Sequence, residues 1–196
     1  MTNSIQKNNQ FLAHHRRPGE DREENDYYAT HPSSIPPLFQ FMGWDIGLRK
    51  LFRENSCGAG HLSRLMELYG HTVISSDLID RGYGMVGVDF LEPHWSDNLP
   101  YDAVIMNPPY KHALAFVLKS LEIAPVVCAF FRITFLESKN RKKFFKEHPP
   151  RYVAVFSERM MTSKNAEFNE DESSAVCYAW FIWERGYKGK PEIIWI

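Results

Sequence analysis

Apolar positions along the chain follow two alternating rhythms. Short runs at 50–54, 72–77, 103–107, 126–133 and 152–156 are compact and rich in aliphatic or aromatic residues, the pattern of buried strands. Between them, segments 61–69, 112–123 and 138–147 space their apolar residues three and four apart, the pattern of helices packed on one face. This alternation predicts an α/β fold with a mostly parallel sheet covered on both faces, because each connecting helix must pack back onto the sheet. From Ser33, the run Ser-Ser-Ile-Pro-Pro-Leu-Phe-Gln-Phe-Met predicts a short helix with a serine cap and proline in its first turn. After a polar segment at 158–174, apolar stretches at 176–183 and 192–196 flank the turn-like Arg185-Gly186-Tyr187-Lys188-Gly189-Lys190, which predicts a closing antiparallel hairpin. Residues 1–26 lack hydrophobic periodicity and read as a flexible N-terminal arm, leaving 27–196 as one domain.

Composition narrows the class. At 196 residues the chain suits one well-buried domain, so catalysis and recognition are expected to share a core. No apolar run reaches the roughly 18 residues of a membrane-spanning helix, and the first residues lack a signal-peptide core. Cys57, Cys128 and Cys177 have neither disulfide density nor metal-site spacing. These features predict a cytoplasmic protein with no membrane association and no structural metal. A formal net charge of -1 means that any hold on a polyanion must come from local basic patches.

Two motifs carry chemistry. The first strand runs into Glu54-Asn55-Ser56-Cys57-Gly58-Ala59-Gly60 and then a helix, a turn that brings backbone N–H groups near a ligand. The next strand ends at Asp77, where a carboxylate in this architecture can accept both hydroxyls of a ribose. Together they favour an adenosine-bearing cofactor. Position 63 is serine rather than the third glycine of a dehydrogenase fingerprint, which argues against a nicotinamide. Asp89 and Phe90 are placed to bond an adenine amino group and to pack on its ring; a turn aspartate beside a core phenylalanine is the competing reading. The second motif is Asn107-Pro108-Pro109-Tyr110, at the end of an apolar strand. Each proline disfavours helix before it, so Asn107 and Pro108 leave the sheet extended. The Asn107 side-chain oxygen and the Pro108 carbonyl can then accept from one –NH2 group while Tyr110 offers a face for a base to stack on. Two such acceptors favour a pyramidal amine, free its lone pair and stabilise the positive charge that develops on nitrogen.

With these residues the chain resembles the amino-group DNA methyltransferases, and most of all the small adenine-N6 methyltransferases of phages and prophages. The resemblance runs from about Tyr27 to the C-terminus. Tyr28-Ala29-Thr30-His31-Pro32 resembles the family's Tyr-x-Thr-Pro segment, which packs over the methionine end of the cofactor. Asp77, Asp89-Phe90 and Asn107-Pro108-Pro109-Tyr110 match its ribose, adenine and catalytic motifs, and similarity continues through Phe135-Leu136-Glu137-Ser138 and the aromatic run 179–183. Asn55 and Ala59 depart from the family, which commonly has proline and an acidic or polar residue there. The resemblance implies a Rossmann-like class I fold with about seven strands, a single catalytic domain without a separate target-recognition domain, and S-adenosylmethionine as cofactor. It implies cofactor contacts from Tyr28, Thr30, Glu54, Cys57, Gly58, Gly60, Asp77, Leu78, Asp89, Phe90 and Asn107, and catalysis by Asn107, Pro108, Pro109 and Tyr110. The expected reaction is methyl transfer to N6 of adenine in DNA. Alternatives are the same chemistry on an RNA base or a glutamine side chain, or a binding module that keeps the fold without turnover.

With no recognition domain, specificity is expected to be short or loose. Candidate substrate contacts are Tyr110, Lys111, Arg159 and Lys164, the last two in the 158–174 loop. Lys139, Arg141, Lys142, Lys143, Lys146 and Arg151 form a basic cluster suited to phosphates, with a solvated helix face as the competing reading.

Overall fold

The computed structural model describes residues 28–158, 160, 162–164 and 176–196. The described strands are β1 (Tyr28–Thr30), β2 (Leu51–Glu54), β3 (Thr72–Asp77), β4 (Met85–Val86), β5 (Ala103–Met106), β6 (Val126–Arg132), β7 (Tyr152–Val155), β8 (Thr162–Lys164), β9 (Tyr178–Glu184) and β10 (Glu192–Trp195). The helices are α1 (Ile35–Met42), α2 (His61–Leu68), α3 (Ala113–Ile123) and α4 (Lys139–Glu147). An eight-stranded sheet has the order β10-β7-β9-β6-β5-β2-β3-β4, and β1 pairs separately with β8. Strands β6, β5, β2, β3 and β4 are mutually parallel, and β10 is parallel to β7. The predicted mostly parallel α/β sheet is therefore present.

Alternation along each strand divides the core into two layers. Val104, Met106, Val127, Phe131, Phe181 and Trp183 face one side and pack with α3 and α4. Ala103, Ile105, Cys128, Phe130, Trp180 and Ile182 face the other, against α1 and α2. Both faces of β5, β6 and β9 are thus dry, which is why their sequences are almost continuously apolar. Arg53 in β2 is the exception. Its buried guanidinium donates to the Ile74 carbonyl at 2.8 Å and to Ser76 Oγ at 2.6 Å, and it lies 5.9 Å from the Phe90 ring centre.

The closing pair corrects one expectation. β9 and β10 run antiparallel to each other, but they share no ladder, because β7 lies between them and β9 is inserted between β7 and β6. The expected hairpin is replaced by two strands placed apart in the sheet. The short helix from 35 also differs in its cap. Its prolines stand in the first turn as expected, but Ser34 makes no side-chain cap bond, and His31 accepts from the Ser33 N–H on the preceding tight turn. The N-terminal arm lies outside the described residues. Among the described residues no helix is long and apolar enough to cross a membrane.

Candidate active site

The order in which strands are added across the sheet reverses between the parallel neighbours β2 and β5, and crevices at such a switch point are the usual ligand sites of open α/β sheets. A cavity of about 330 Å3 opens there, at the ends of β2, β3 and β5. That volume falls in the range of roughly 300–1,000 Å3 typical of small-molecule sites.

The turn after β2 forms one wall through Glu54, Asn55, Ser56 and Cys57. Gly58 and Gly60 shape this wall through their backbone and are not among the residues that line the cavity. Gly58 turns with φ +53° and sends its N–H to Asp77 Oδ2 at 2.8 Å. Gly60 turns with φ +80°, and a Cβ there would collide with the Tyr83 ring. Asn55, where the resembling family has proline, ties the turn to α3 by donating to Ser120 Oγ at 3.3 Å.

Glu54 is the most perturbed acid of the site. It is 2% exposed and accepts from Ser63 Oγ, and Ser63 meets Ser75 Oγ at 2.6 Å. Burial pushes its carboxyl up to about 8, against the lowering effect of the Ser63 hydrogen bonds. It is mostly protonated at neutral pH. Cys57 is buried and its thiol pushed up to about 12, chiefly by burial, so it is an inert wall rather than a nucleophile.

Asp77 lies at the end of β3 with both oxygens engaged, Oδ2 by Gly58 and Oδ1 by the Ile79 N–H at 3.0 Å. Each carboxylate oxygen keeps a further lone pair for a ligand hydroxyl. Leu78, Ile79 and Leu91 supply an apolar slot beside it. Asp89 also lines the cavity and accepts from the Leu91 N–H at 2.9 Å. Phe90 does not line it. It is 2% exposed and packs 5.1 Å from Phe116, the packing its competing core reading describes.

Asn107, Pro108, Pro109 and Tyr110 form the opposite wall, with Lys111 and His112 at the rim. Asn107 Nδ2 donates to the Tyr28 carbonyl at 2.9 Å and to Thr30 Oγ1 at 2.7 Å, and the Asn107 carbonyl accepts from Ser56 Oγ at 3.1 Å. Tyr28 and Thr30, on β1, therefore line the cavity beside Asn107. Burial, with Tyr178 beside it, raises the Tyr110 hydroxyl well above the ordinary phenol range, against the lowering effect of the Arg132 guanidinium. Arg132 lies 5.5 Å from the Tyr110 ring centre.

Of the substrate candidates, Arg159 lies outside the described residues, and Lys164 is described in its backbone alone, which pairs with Tyr28 in the β1–β8 ladder. In the basic cluster, Arg141 folds back on the carbonyls of Thr134 and Glu137, and Arg151 bonds Tyr152 and Glu184. Both are structural, whereas Lys139, Lys142, Lys143 and Lys146 stand exposed. Ser56 and Arg132 were missed by the sequence reading. Arg132 carries the same signal as Asn107, a polar residue ending a buried apolar strand.

No protein-family model and no curated sequence matches the chain. Its fold matches solved structures at low identity. A protein from Pyrococcus horikoshii assigned as an RNA methyltransferase aligns with TM-score 0.56 and 18% identity, over 79% of this chain and 82% of its own. A protein from Listeria monocytogenes assigned as a class I S-adenosylmethionine-dependent methyltransferase aligns with TM-score 0.58 and 15% identity, over 85% of this chain and 64% of its own. A modification subunit assigned to a type I restriction enzyme of Vibrio vulnificus aligns with TM-score 0.55 and 11% identity, over 87% of this chain and 47% of its own. The chain thus spans less than two thirds of the last two proteins. A switch-point cavity between a glycine turn and a strand-ending acid, on this strand order, is the architecture of the class I S-adenosylmethionine-dependent methyltransferase fold, and this chain has that fold.

Proposed function

We propose that the protein transfers the methyl group of S-adenosylmethionine to an exocyclic amine, and that its substrate is N6 of adenine in DNA. The observation that carries the reading is Asn107 in the cavity wall with its Nδ2 already bonded to β1, so that Oδ1 is left to accept from an incoming amine. Pro108 follows in the same wall and supplies a second acceptor, its carbonyl. Tyr110 stands beside them as a stacking face for an extruded base. An acceptor pair of this kind activates an amine without a strong base, which suits a site whose wall carries a neutral Glu54 and an inert Cys57.

The residues present fit an adenosine-bearing sulfonium. Asp77 would hold the ribose, Asp89 the adenine amino group between Leu78, Ile79 and Leu91, and Glu54 with Thr30 and Tyr28 the methionine end. The bound cofactor would supply an electrophilic methyl. Asn107 and Pro108 would hold the amine in line with it and take the developing charge.

The reading of adenine in DNA over an RNA base or a glutamine amide rests on the resemblance outside the tetrapeptide. The fold neighbours, which include proteins assigned to RNA and to restriction systems, are compatible with a nucleic-acid substrate. Incubation with methyl-labelled cofactor and unmethylated DNA, RNA or total protein, followed by mass spectrometry of the hydrolysates, tests it. The expected product is N6-methyldeoxyadenosine; label confined to ribonucleosides or glutamine would overturn the choice of substrate, and cofactor binding without any transfer would favour the binding-module alternative.

A further inference from the structure

The catalytic tetrapeptide is braced by a strand outside the main sheet. β1 pairs with β8 alone, yet its polar groups converge on Asn107, which gives both amide hydrogens to the Tyr28 carbonyl and Thr30 Oγ1. Thr30 is 4% exposed and its neighbour Ala29 equally buried, so the strand is anchored where it meets the site. The backbone of Asn107 is held independently by Ser56. Because a carbonyl can only accept, the group facing Tyr28 must be the nitrogen, and Oδ1 is then the one side-chain atom left for a substrate. A carboxylate at this position would set an oxygen against the Tyr28 carbonyl. The Thr30 hydroxyl can turn and donate to such an oxygen, but the carbonyl cannot.

We propose that Thr30, together with the Tyr28 carbonyl, is the positioning group of Asn107: it aims Oδ1 at the target amine and makes this site one that works with an amide and poorly with a carboxylate at position 107. This rests on the amine-methylation reading above. Thr30 acts through Asn107, so its loss loosens the acceptor without removing it.

Two measurements on the full chain test the proposal. In the first, the Asn107 side-chain amide resonances are identified by their disappearance in Asn107→Ala, and their hydrogen exchange is followed by NMR without any substrate. Exchange should be slowed in the wild type, faster in Thr30→Val and slow again in Thr30→Ser, which restores the hydroxyl. In the second, methyl transfer is measured at saturating cofactor. Thr30→Val should lose about ten- to a hundredfold in rate, the scale of a misplaced reacting group, with Thr30→Ser recovering most of it. Asn107→Asp should fall by a factor of about ten or more on the same ground. A wild-type amide that exchanges as fast as an exposed one, or Thr30→Val or Asn107→Asp turning over like the wild type, would overturn the proposal. A slowed amide in a protein that methylates no amine overturns the transferase reading instead.

Discussion

Asn107 and Asp77 were legible because each is a polar residue closing an apolar strand, where the fold leaves a side chain no core to enter. Phe90 is ambiguous in sequence, since aromatic residues serve equally as base platforms and as core; in the structure it packs on Phe116 and lies near Arg53. Replacing Asp77 by alanine should weaken S-adenosylmethionine binding by about 1.5–3 kcal/mol, the worth of hydrogen bonds to a charged acceptor. Calorimetry showing unchanged affinity would remove Asp77 from the site. Glu54 makes a separate prediction about pH. Its folded value lies near 8 and its ordinary value at 4.5, so above pH 4.5 the folded state keeps a proton that the unfolded chain has released. Stability must therefore fall as pH rises from about 4.5 towards about 8. Glu54→Gln cannot ionise, and its stability relative to wild type should improve by on the order of 3 kcal/mol between pH 5 and 7.5. Parallel urea titrations whose difference stays constant over that interval would contradict this.

At the scale of elements, local periodicity located nearly every strand and helix of the sheet but not the pairing of its last strands. The distinction was partly present in the sequence. Tyr178–Glu184 is buried on both faces, as a central strand must be, while Glu192–Trp195 exposes Ile193 and Trp195, as an edge strand can. What the pattern cannot supply is which neighbour a both-face-buried strand chooses, because that depends on contacts far apart in sequence. The turn after β2 was read as a ligand-hugging loop, and the structure gives it a further duty. Gly60→Ala would strain a left-handed residue and push against the Tyr83 ring, whose hydroxyl donates to Glu67 at 3.0 Å. A loss of at least about 1–2 kcal/mol in unfolding free energy is expected from the backbone alone. An alanine variant as stable as the wild type would show that the turn relaxes freely.

For the molecule as a whole, a net charge of -1 leaves substrate recognition to local groups rather than an overall field. The exposed Lys139, Lys142, Lys143 and Lys146 on α4 are the cations available to a phosphate backbone among the described residues of that helix. DNA affinity should fall steeply with salt, by a slope of about 0.9 per phosphate neutralised on a log-log plot. The double replacement of Lys142 and Lys143 by glutamine should make that slope shallower, and an identical slope would take α4 out of the interface. With no separate reading domain expected, methylation should extend over many contexts or a site of a few bases. Methylome sequencing from expressing cells that revealed a long, strict motif would contradict that.

The central claim is that Asn107 accepts from the amine that receives the methyl group. The direct measurement is the rate of labelled-methyl transfer to adenine N6 at saturating cofactor, compared between wild type and Asn107→Ala, with cofactor affinity measured on both. Loss of a preorganised acceptor of developing charge predicts a rate lower by roughly a hundred- to a thousandfold, by analogy with oxyanion-hole donors, while cofactor affinity stays near that of the wild type. An alanine variant that is folded, binds cofactor and methylates adenine at the wild-type rate would contradict the account.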